Sequence, residues 1–142
     1  HQEVGTVFGE WISEELILLP ISNNFDAVIP VPLHKKRLKE RGYNQVTNFG
    51  IAIANKFQIP CNESLLHRNV YSKTQSKKDL LGRISVIDSL FDVTFNENDH
   101  NKHFLLIDDV LTTGATLEAC GRALLKIPGA KISIVCMAMS HS

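Results

Sequence analysis

The sequence predicts an α/β fold built on an open, mostly parallel sheet flanked by helices. Short and nearly continuous apolar runs, typical of strands buried on both faces, occur at 27–32, 104–107 and 131–139. A segment with helical periodicity separates the last two runs. Strand, helix and strand therefore form a right-handed crossover between parallel strands, which is the building unit of this fold class.

The N-terminal part of the chain predicts one helix and then one strand. Four apolar residues recur at helical spacing, Trp11 is expected to pack beside them, and Pro20 ends the helix. The four residues are Phe8, Ile12, Leu16 and Leu19. The run at 27–32 is too short for a helix and closes with prolines, so it predicts a buried strand that enters a rigid turn.

A basic stretch and a second amphipathic helix follow that turn. The basic residues are Lys35, Lys36, Arg37, Lys39 and Arg41. They form either a solvated helix face or, because they come directly after the prolines, a group of which one or two bind an anion. The helix after Gly42 begins near Asn44, a residue suited to an N-cap, and ends at Pro60. Its apolar residues are Val46, Phe49, Gly50, Ile53 and Phe57.

The middle of the chain predicts a long loop and a further strand. From His67 to Arg83 the sequence is polar, rich in Lys and Ser, and without apolar periodicity, which indicates an exposed loop. Residues 90–95 alternate enough to form a strand, and residues 96–102 form a polar connection.

The C-terminal third contains an acidic pair at a place where ligands bind. Residues 104–107 predict a buried strand, 108–114 a tight loop, and 115–126 a helix that Pro128 stops. The apolar face of this helix is predicted to be Leu117, Cys120, Leu124 and Leu125. Asp108 and Asp109 therefore lie at the carboxyl end of a strand, and open parallel sheets bind ligands beyond that end.

The loop after the acidic pair has the composition of an anion-binding cradle. Its residues are Thr112, Thr113, Gly114, Ala115 and Thr116. They supply hydroxyls, a glycine that lets backbone approach a ligand, and the N–H groups of a helix start. Ionised carboxylates accept hydrogen bonds from sugar hydroxyls, so a phosphorylated ribose fits the whole arrangement. In the alternative interpretation Asp109 is only a cap and the threonines only begin a helix.

The composition describes one soluble domain of 142 residues and restricts its partners. The 15 basic residues balance 15 acidic ones, which argues against direct, sequence-independent binding of nucleic acid. Because no apolar run approaches the roughly 18 residues of a membrane span, we expect a cytoplasmic protein without a membrane partner. Cys61, Cys120 and Cys136 are expected to be reduced core thiols, and the histidines show no metal-ligand spacing.

Residues 105–116 resemble the phosphoribosyl pyrophosphate (PRPP) signature of type I phosphoribosyltransferases. Residues 28–34 and 41–45, and then Thr74 and Gln75 ahead of Arg83, resemble the ComF-like (competence protein F) branch of that family. The resemblance covers about residues 26–139. It implies a single phosphoribosyltransferase-like domain over 1–142, with an N-terminal helix and partial hood at 1–26 and the core at 27–142.

The resemblance also implies a role for each motif. Asp108 and Asp109 would be the catalytic pair that holds the ribose hydroxyls, and the 112–116 loop would bind the 5′-phosphate. The residues implied to bind pyrophosphate are Leu33, His34, Lys35, Lys36 and Arg37, and those implied to form a flexible loop over the site are Lys73, Lys77 and Lys78. Mg²⁺ would bind together with PRPP, and a homodimer is compatible with the resemblance.

The chain departs from the ComF-like pattern at three points. Family members usually carry a cysteine-rich zinc-binding segment ahead of the transferase domain, which residues 1–26 do not supply, so we expect either a truncated chain or a naturally trimmed copy. Val86 stands where the pattern usually has Asn. Thr112 stands where some type I transferases place a carboxylate that contacts the nucleobase.

Two functions of different classes follow from this interpretation. One is a phosphoribosyltransferase that joins PRPP to an unidentified small nitrogen base and releases pyrophosphate. The other is a non-catalytic PRPP-binding or structural module associated with DNA uptake, as the name of the branch implies. Release of pyrophosphate that depends on an added base distinguishes the two.

Overall fold

Three parallel strands form the main sheet in a computed structural model that describes residues 2–18, 24–69 and 90–140. In chain order the helices and strands are α1 (Gln2–Ile17), β1 (Ala27–Pro30), α2 (Lys35–Arg41), α3 (Gln45–Phe57), β2 (Leu66–Arg68), β3 (Phe91–Val93), β4 (His103–Leu111), α4 (Ala115–Leu124) and β5 (Lys131–Met139). The strand order is β1-β4-β5, and both pairings are parallel. The predicted fold class is therefore confirmed.

The main sheet is covered on both faces, and the alternation of side chains along β4 divides the core in two. Phe104 and Leu106 pack on one face with α4, in a cluster that also contains Cys120. Leu105 and Ile107 pack on the other face with α3. The continuous apolar pattern of β4 follows from this coverage, because its middle residues are buried whichever way they point.

Helix α1 packs closely against α3 through small residues. Gly5, Gly9 and Ser13 are buried and recur every four positions, so they lie on one face of α1. The Ser13 hydroxyl donates to the Gly9 carbonyl oxygen, which satisfies the buried hydroxyl within the helix. A Cβ atom at Gly9 would lie 2.7 Å from the carbonyl oxygen of Phe49, so the two backbones can be this close only because residue 9 has no side chain.

The strands β2 and β3 form a separate two-stranded antiparallel sheet on the α4 side of the molecule. Leu66 and Phe91 of this small sheet are buried in the same cluster as α4. A 3.1 Å ion pair between the Lys126 Nζ and the Asp92 carboxylate joins it to the residues after α4. The connection between β2 and β3 lies outside the described residues except at its two ends.

Several predicted boundaries are wrong. The strand predicted at 27–32 ends at Pro30, and the strand predicted at 90–95 shortens to Phe91–Val93 and pairs outside the main sheet. The loop predicted from His67 begins only after Arg68, because a strand of three residues is too short to show a periodicity. Residues 70–89, which include the rest of that predicted loop, lie outside the described residues.

Two predicted packing positions are also wrong. Trp11 is 59% exposed and Leu125 is 60% exposed, whereas both were expected to lie on apolar helix faces. Each is directly adjacent in sequence to a residue that does pack, Ile12 and Leu124, and neighbours in a helix point about 100° apart. The helix predicted at 115–126 ends at Leu124. Leu19 and Pro20 lie outside the described residues.

The strand β5 is less buried than its apolar sequence suggests. It lies at the edge of the described sheet, and Ile134 is 51% exposed. The predicted apolar side of α3 is confirmed. Three of the four residues predicted for the apolar side of α4, Leu117, Cys120 and Leu124, are also buried. None of the helices in the described residues has the length and apolar character needed to cross a bilayer.

Candidate functional site

The parallel pairing of β1 with β4 brings two predicted motifs to one edge of the sheet. Pro30 lies opposite Ile107, and the Val31 N–H donates to the Ile107 carbonyl oxygen at 2.9 Å. The turn that follows β1 therefore leaves the sheet beside the point where β4 reaches its acidic pair.

The acidic pair lies within β4, not in a loop after it. The predicted loop at 108–114 is shorter than expected, because Asp108 pairs with Cys136 and Leu111 pairs with Met139 of β5. By the alternation of a strand, Asp108 shares the face of Leu106 and Asp109 the opposite face. The two carboxylates thus flank the end of β4, one on each side.

Each carboxylate of the pair accepts a backbone hydrogen bond from the residue that follows it. The Asp109 N–H donates to Asp108 Oδ1 at 2.8 Å, and the Val110 N–H donates to Asp109 Oδ1 at 2.7 Å. Both side chains are half-buried. These bonds leave the remaining lone pairs of each carboxylate for donors on a ligand.

Asp108 is poorly solvated for a carboxylate. Burial is the main cause that raises its pKa to about 6, and the charge of Asp109 raises it as well. The hydrogen bond from the Asp109 N–H acts in the opposite direction and lowers the pKa. Two thiols contribute to this environment: Cys136 lies opposite Asp108 on β5, and Cys120 is fully buried on α4. Burial raises the pKa of Cys120 to about 12, so this thiol is uncharged and apolar at neutral pH, as expected of a core cysteine.

The loop from Thr112 to Gly114 turns the chain from β4 into α4. Gly114 adopts φ +82°, in the left-handed region that glycine tolerates best, and precedes the first helical residue. The Thr113 hydroxyl accepts the Ala115 N–H at 3.3 Å. Thr112, Thr113, Ala115 and Thr116 are all exposed, so the start of α4 is accessible to a ligand.

A small cavity lies between this loop and Asp108, the first residue of the acidic pair. It has a volume of about 30 Å³, and its lining includes Asp108, Thr112, Gly114 and Thr116. Groups of the predicted cradle and one of the two predicted catalytic carboxylates therefore surround the same space. A helix start favours negative charge there, and the carboxylates favour hydrogen-bond donors beside it.

The turn after β1 leads into the basic helix α2. The side chain of His34 caps this helix, since its Nδ1 accepts the Lys36 N–H at 3.1 Å. Lys35, Lys36 and Arg37 are exposed in the first turn, and Leu33 is half-exposed. Asn44 caps α3 as predicted, accepting the Val46 N–H at 3.1 Å. Lys73, Lys77 and Lys78 lie outside the described residues.

The sequence interpretation gave no role to Arg68, the last residue of β2. Its Nε is buried and has no hydrogen-bond partner among the described residues. The sequence does contain a signal for this residue. Arg68 is a basic residue between the apolar Leu65–Leu66 and the polar stretch that follows it. Within the described ranges, no three His, Cys, Asp or Glu side chains are placed to hold a metal ion.

Comparison with known proteins by sequence gives one family and two curated relatives. The family described as "Phosphoribosyl transferase domain" matches residues 51–142. Competence protein ComFC of Bacillus subtilis (strain 168) is 36% identical over 99 residues, which are 70% of this chain and 38% of that protein. Competence protein F of Haemophilus influenzae (strain Rd) is 29% identical over 110 residues, 77% of this chain and 48% of that protein. The chain thus spans less than half the length of either relative, and the family resemblance inferred from the sequence is confirmed.

Comparison by structure supports the same fold. The adenine phosphoribosyltransferase from Leishmania tarentolae superposes with a TM-score of 0.56 at 20% identity, over 96% of this chain and 58% of that one. At this level of identity the likeness concerns the arrangement of strands and helices, and it identifies the sheet described above as the core of that fold.

Proposed function

Because this chain belongs to the phosphoribosyltransferase domain family, and is similar to its ComF-like members, we propose that it binds PRPP and transfers ribose 5-phosphate to a small nitrogen base with release of pyrophosphate. The observation that carries the proposal is that Asp108, at the end of β4, and residues of the 112–116 loop line the same small cavity. An anion-favouring helix start and two acceptor carboxylates on one strand end match the two parts of a ribose 5-phosphate.

In this proposal Asp108 and Asp109 hold the ribose 2′- and 3′-hydroxyls. An ionised carboxylate only accepts hydrogen bonds, so it selects hydroxyl donors and repels phosphate oxygens. Departure of pyrophosphate leaves positive charge on the ribose ring, and two nearby negative groups stabilise that charge in the transition state. The same two residues therefore serve binding and catalysis.

The loop of Thr112, Thr113, Gly114, Ala115 and Thr116 holds the 5′-phosphate in this proposal. Its hydroxyls and the N–H groups at the start of α4 are donors, and the helix dipole favours the negative charge. Gly114 leaves the backbone open to a close approach by phosphate oxygens. Binding of the 5′-phosphate by this loop orients the ribose so that its anomeric carbon faces the turn after β1.

The turn after β1 binds the pyrophosphate through Leu33 and His34 and through the cations of Lys35, Lys36 and Arg37. The pairing of Pro30 with Ile107 supports this assignment, because the turn begins next to the point where β4 reaches Asp108. Asp108 and Asp109 are too few to enclose Mg²⁺, and they fit an ion whose other ligands are phosphate oxygens and water. Such an ion would neutralise charge on the leaving pyrophosphate.

The proposal predicts that pyrophosphate forms only when PRPP and a suitable base are present together. The measurement is enzyme-coupled detection of pyrophosphate with Mg²⁺, PRPP and a panel of free purine and pyrimidine bases, each compared with a reaction lacking base. Release that rises with one base supports transfer. Tight binding of PRPP without release for any base contradicts transfer and supports a PRPP-binding module.

The turn after β1 offers a matched pair of lysines for the same assay. Lys36→Gln removes a cation proposed to bind pyrophosphate and is expected to raise the KM for PRPP about tenfold, as for loss of one charge-assisted hydrogen bond. Lys56→Gln removes a lysine that is also exposed but lies in the last turn of α3, away from the turn after β1. This variant is expected to leave KM unchanged. Equal KM values for the two variants would contradict the assignment of Lys36.

A further inference from the structure

Arg68 is a half-buried cation with an unsatisfied donor. It ends β2 opposite Phe91, and its guanidinium carbon lies 5.0 Å from the centroid of the Phe91 ring. Its Nε is buried and finds no acceptor within the described part of the chain. This cation–π contact with the ring restrains the position of the guanidinium.

A buried N–H without an acceptor is costly, and for arginine the cost is not relieved by loss of a proton. The guanidinium stays charged at every physiological pH. An unsatisfied buried donor of this kind calls for a partner outside the described residues, such as an ordered water, an ion or a ligand group. The planar, forked donors of arginine match the oxygens of a phosphate group.

The position of Arg68 connects it to the proposed 5′-phosphate loop. The small sheet of β2 and β3 packs against α4, in the cluster that contains Cys120. Cys120 lies four residues after Thr116, so both residues are on the same face of α4, one turn apart. Burial chiefly raises the pKa of Cys120, the Asp108 charge raises it further and the Arg68 charge lowers it, so both charges lie near this thiol.

We propose that Arg68 is a further phosphate-binding residue, which donates to the 5′-phosphate of a ligand held by the 112–116 loop. The inference rests on the proposed function and adds a residue from β2 to that site. The 5′-phosphate is favoured over the pyrophosphate because Arg68 packs on the α4 side of the sheet, whereas the basic turn follows β1.

The test compares three variants by calorimetric titration with two probes, ribose 5-phosphate and pyrophosphate with Mg²⁺. Arg68→Met keeps an unbranched side chain against Phe91 but removes the charge, and Arg68→Lys keeps the charge. Arg122→Met is the control, since Arg122 is an exposed arginine on α4 that pairs with Glu118 at 2.7 Å. Thermal melts of all three variants report whether the fold is retained.

Arg68→Met is expected to weaken ribose 5-phosphate binding about 10- to 100-fold, as for loss of a hydrogen bond between charged groups, and to leave pyrophosphate binding unchanged. Arg68→Lys should recover part of the loss, and Arg122→Met should match the wild type. Equal ribose 5-phosphate affinity in Arg68→Met and wild type, or equal weakening of both probes, overturns the inference. If Arg68→Met does not fold, an unweakened Arg68→Lys overturns it. If the wild type binds neither ribose 5-phosphate nor pyrophosphate, the proposed function itself is overturned, and this inference with it.

Discussion

Replacing Asp108 and Asp109 together by asparagine is expected to abolish PRPP binding and to leave the fold intact. Asparagine has nearly the same shape, and its side-chain oxygen can still accept the backbone N–H bonds of 2.8 and 2.7 Å that order the strand end. The double variant loses two charge-assisted bonds to ribose hydroxyls, so affinity should fall by at least about 100-fold. Calorimetric titration with PRPP and Mg²⁺ measures the loss. Undiminished affinity in a folded double variant would contradict the site.

The single variant Asp108→Asn is expected to be more stable than the wild type at neutral pH. Burial raises the folded-state pKa of Asp108 to about 6, against an ordinary value of 3.8. The folded state therefore holds this proton more tightly than the unfolded state, and stability falls as pH rises from about 4 to 6. Asparagine removes this penalty. Because the carboxyl is partly exposed, the gain in unfolding free energy at pH 7.5 should be only about 1 kcal/mol after allowance for solvent screening.

Asp92→Asn is the matched control, with the opposite expected sign. The hydrogen bond from the Val93 N–H at 2.9 Å, followed by the contact with Lys126, lowers the pKa of Asp92. Its ionised form therefore stabilises the fold above the ordinary pKa, and that stability is lost as pH falls through the lowered value. Thermal melts between pH 4 and pH 8 compare the two variants. A lower melting temperature for Asp108→Asn than for wild type at pH 7.5 would show that the ionised carboxylate of Asp108 does not destabilise the folded state.

Replacing Gly9 by alanine is expected to destabilise the protein by separating α1 from α3. The added Cβ would lie 2.5 Å from the Ala52 Cβ and 2.7 Å from the Phe49 carbonyl oxygen, and the backbone oxygen cannot move without moving α3. Overpacking of this kind costs about 1–3 kcal/mol, which exceeds the helix-propensity gain of up to about 1 kcal/mol. Chemical denaturation should show a lower unfolding midpoint.

Gly121→Ala provides the control for this prediction. Gly121 lies inside α4, and a Cβ there meets no atom within 4 Å. Alanine should therefore stabilise the helix by about 0.5–1 kcal/mol relative to glycine. The prediction for α1 fails if Gly9→Ala raises the midpoint as Gly121→Ala does, since that would mean that helix propensity and not the contact with α3 decides the result.

The sequence predicted the features that depend on local pattern. The buried strand at 104–107, the apolar side of α3 and the N-cap at Asn44 follow from periodicity and capping chemistry, and all three are present. The position of the acidic pair at a sheet edge followed from the order of strand, loop and helix. These features are set by neighbours in sequence, which is the information that a single chain displays.

The features that the sequence did not predict depend on contacts between distant segments. The pairing of Leu66–Arg68 with Phe91–Val93 joins residues more than 20 positions apart, and neither strand is long enough to show alternation. The extension of β4 to Leu111 depends on β5 as its partner. The buried side of α1 includes Gly5, Gly9 and Ser13 beside the predicted Ile12, and such small residues show no apolar pattern that would mark a contact face.

Calorimetric titration of the wild-type chain with PRPP asks whether the end of β4 is the PRPP site that we propose. We expect saturable binding of one PRPP per chain that strengthens when Mg²⁺ is added. Ribose 5-phosphate, which lacks the pyrophosphate, should bind more weakly and without dependence on Mg²⁺. If PRPP does not bind in the presence of Mg²⁺, or if it binds no more tightly than ribose 5-phosphate, the end of β4 is not a PRPP site.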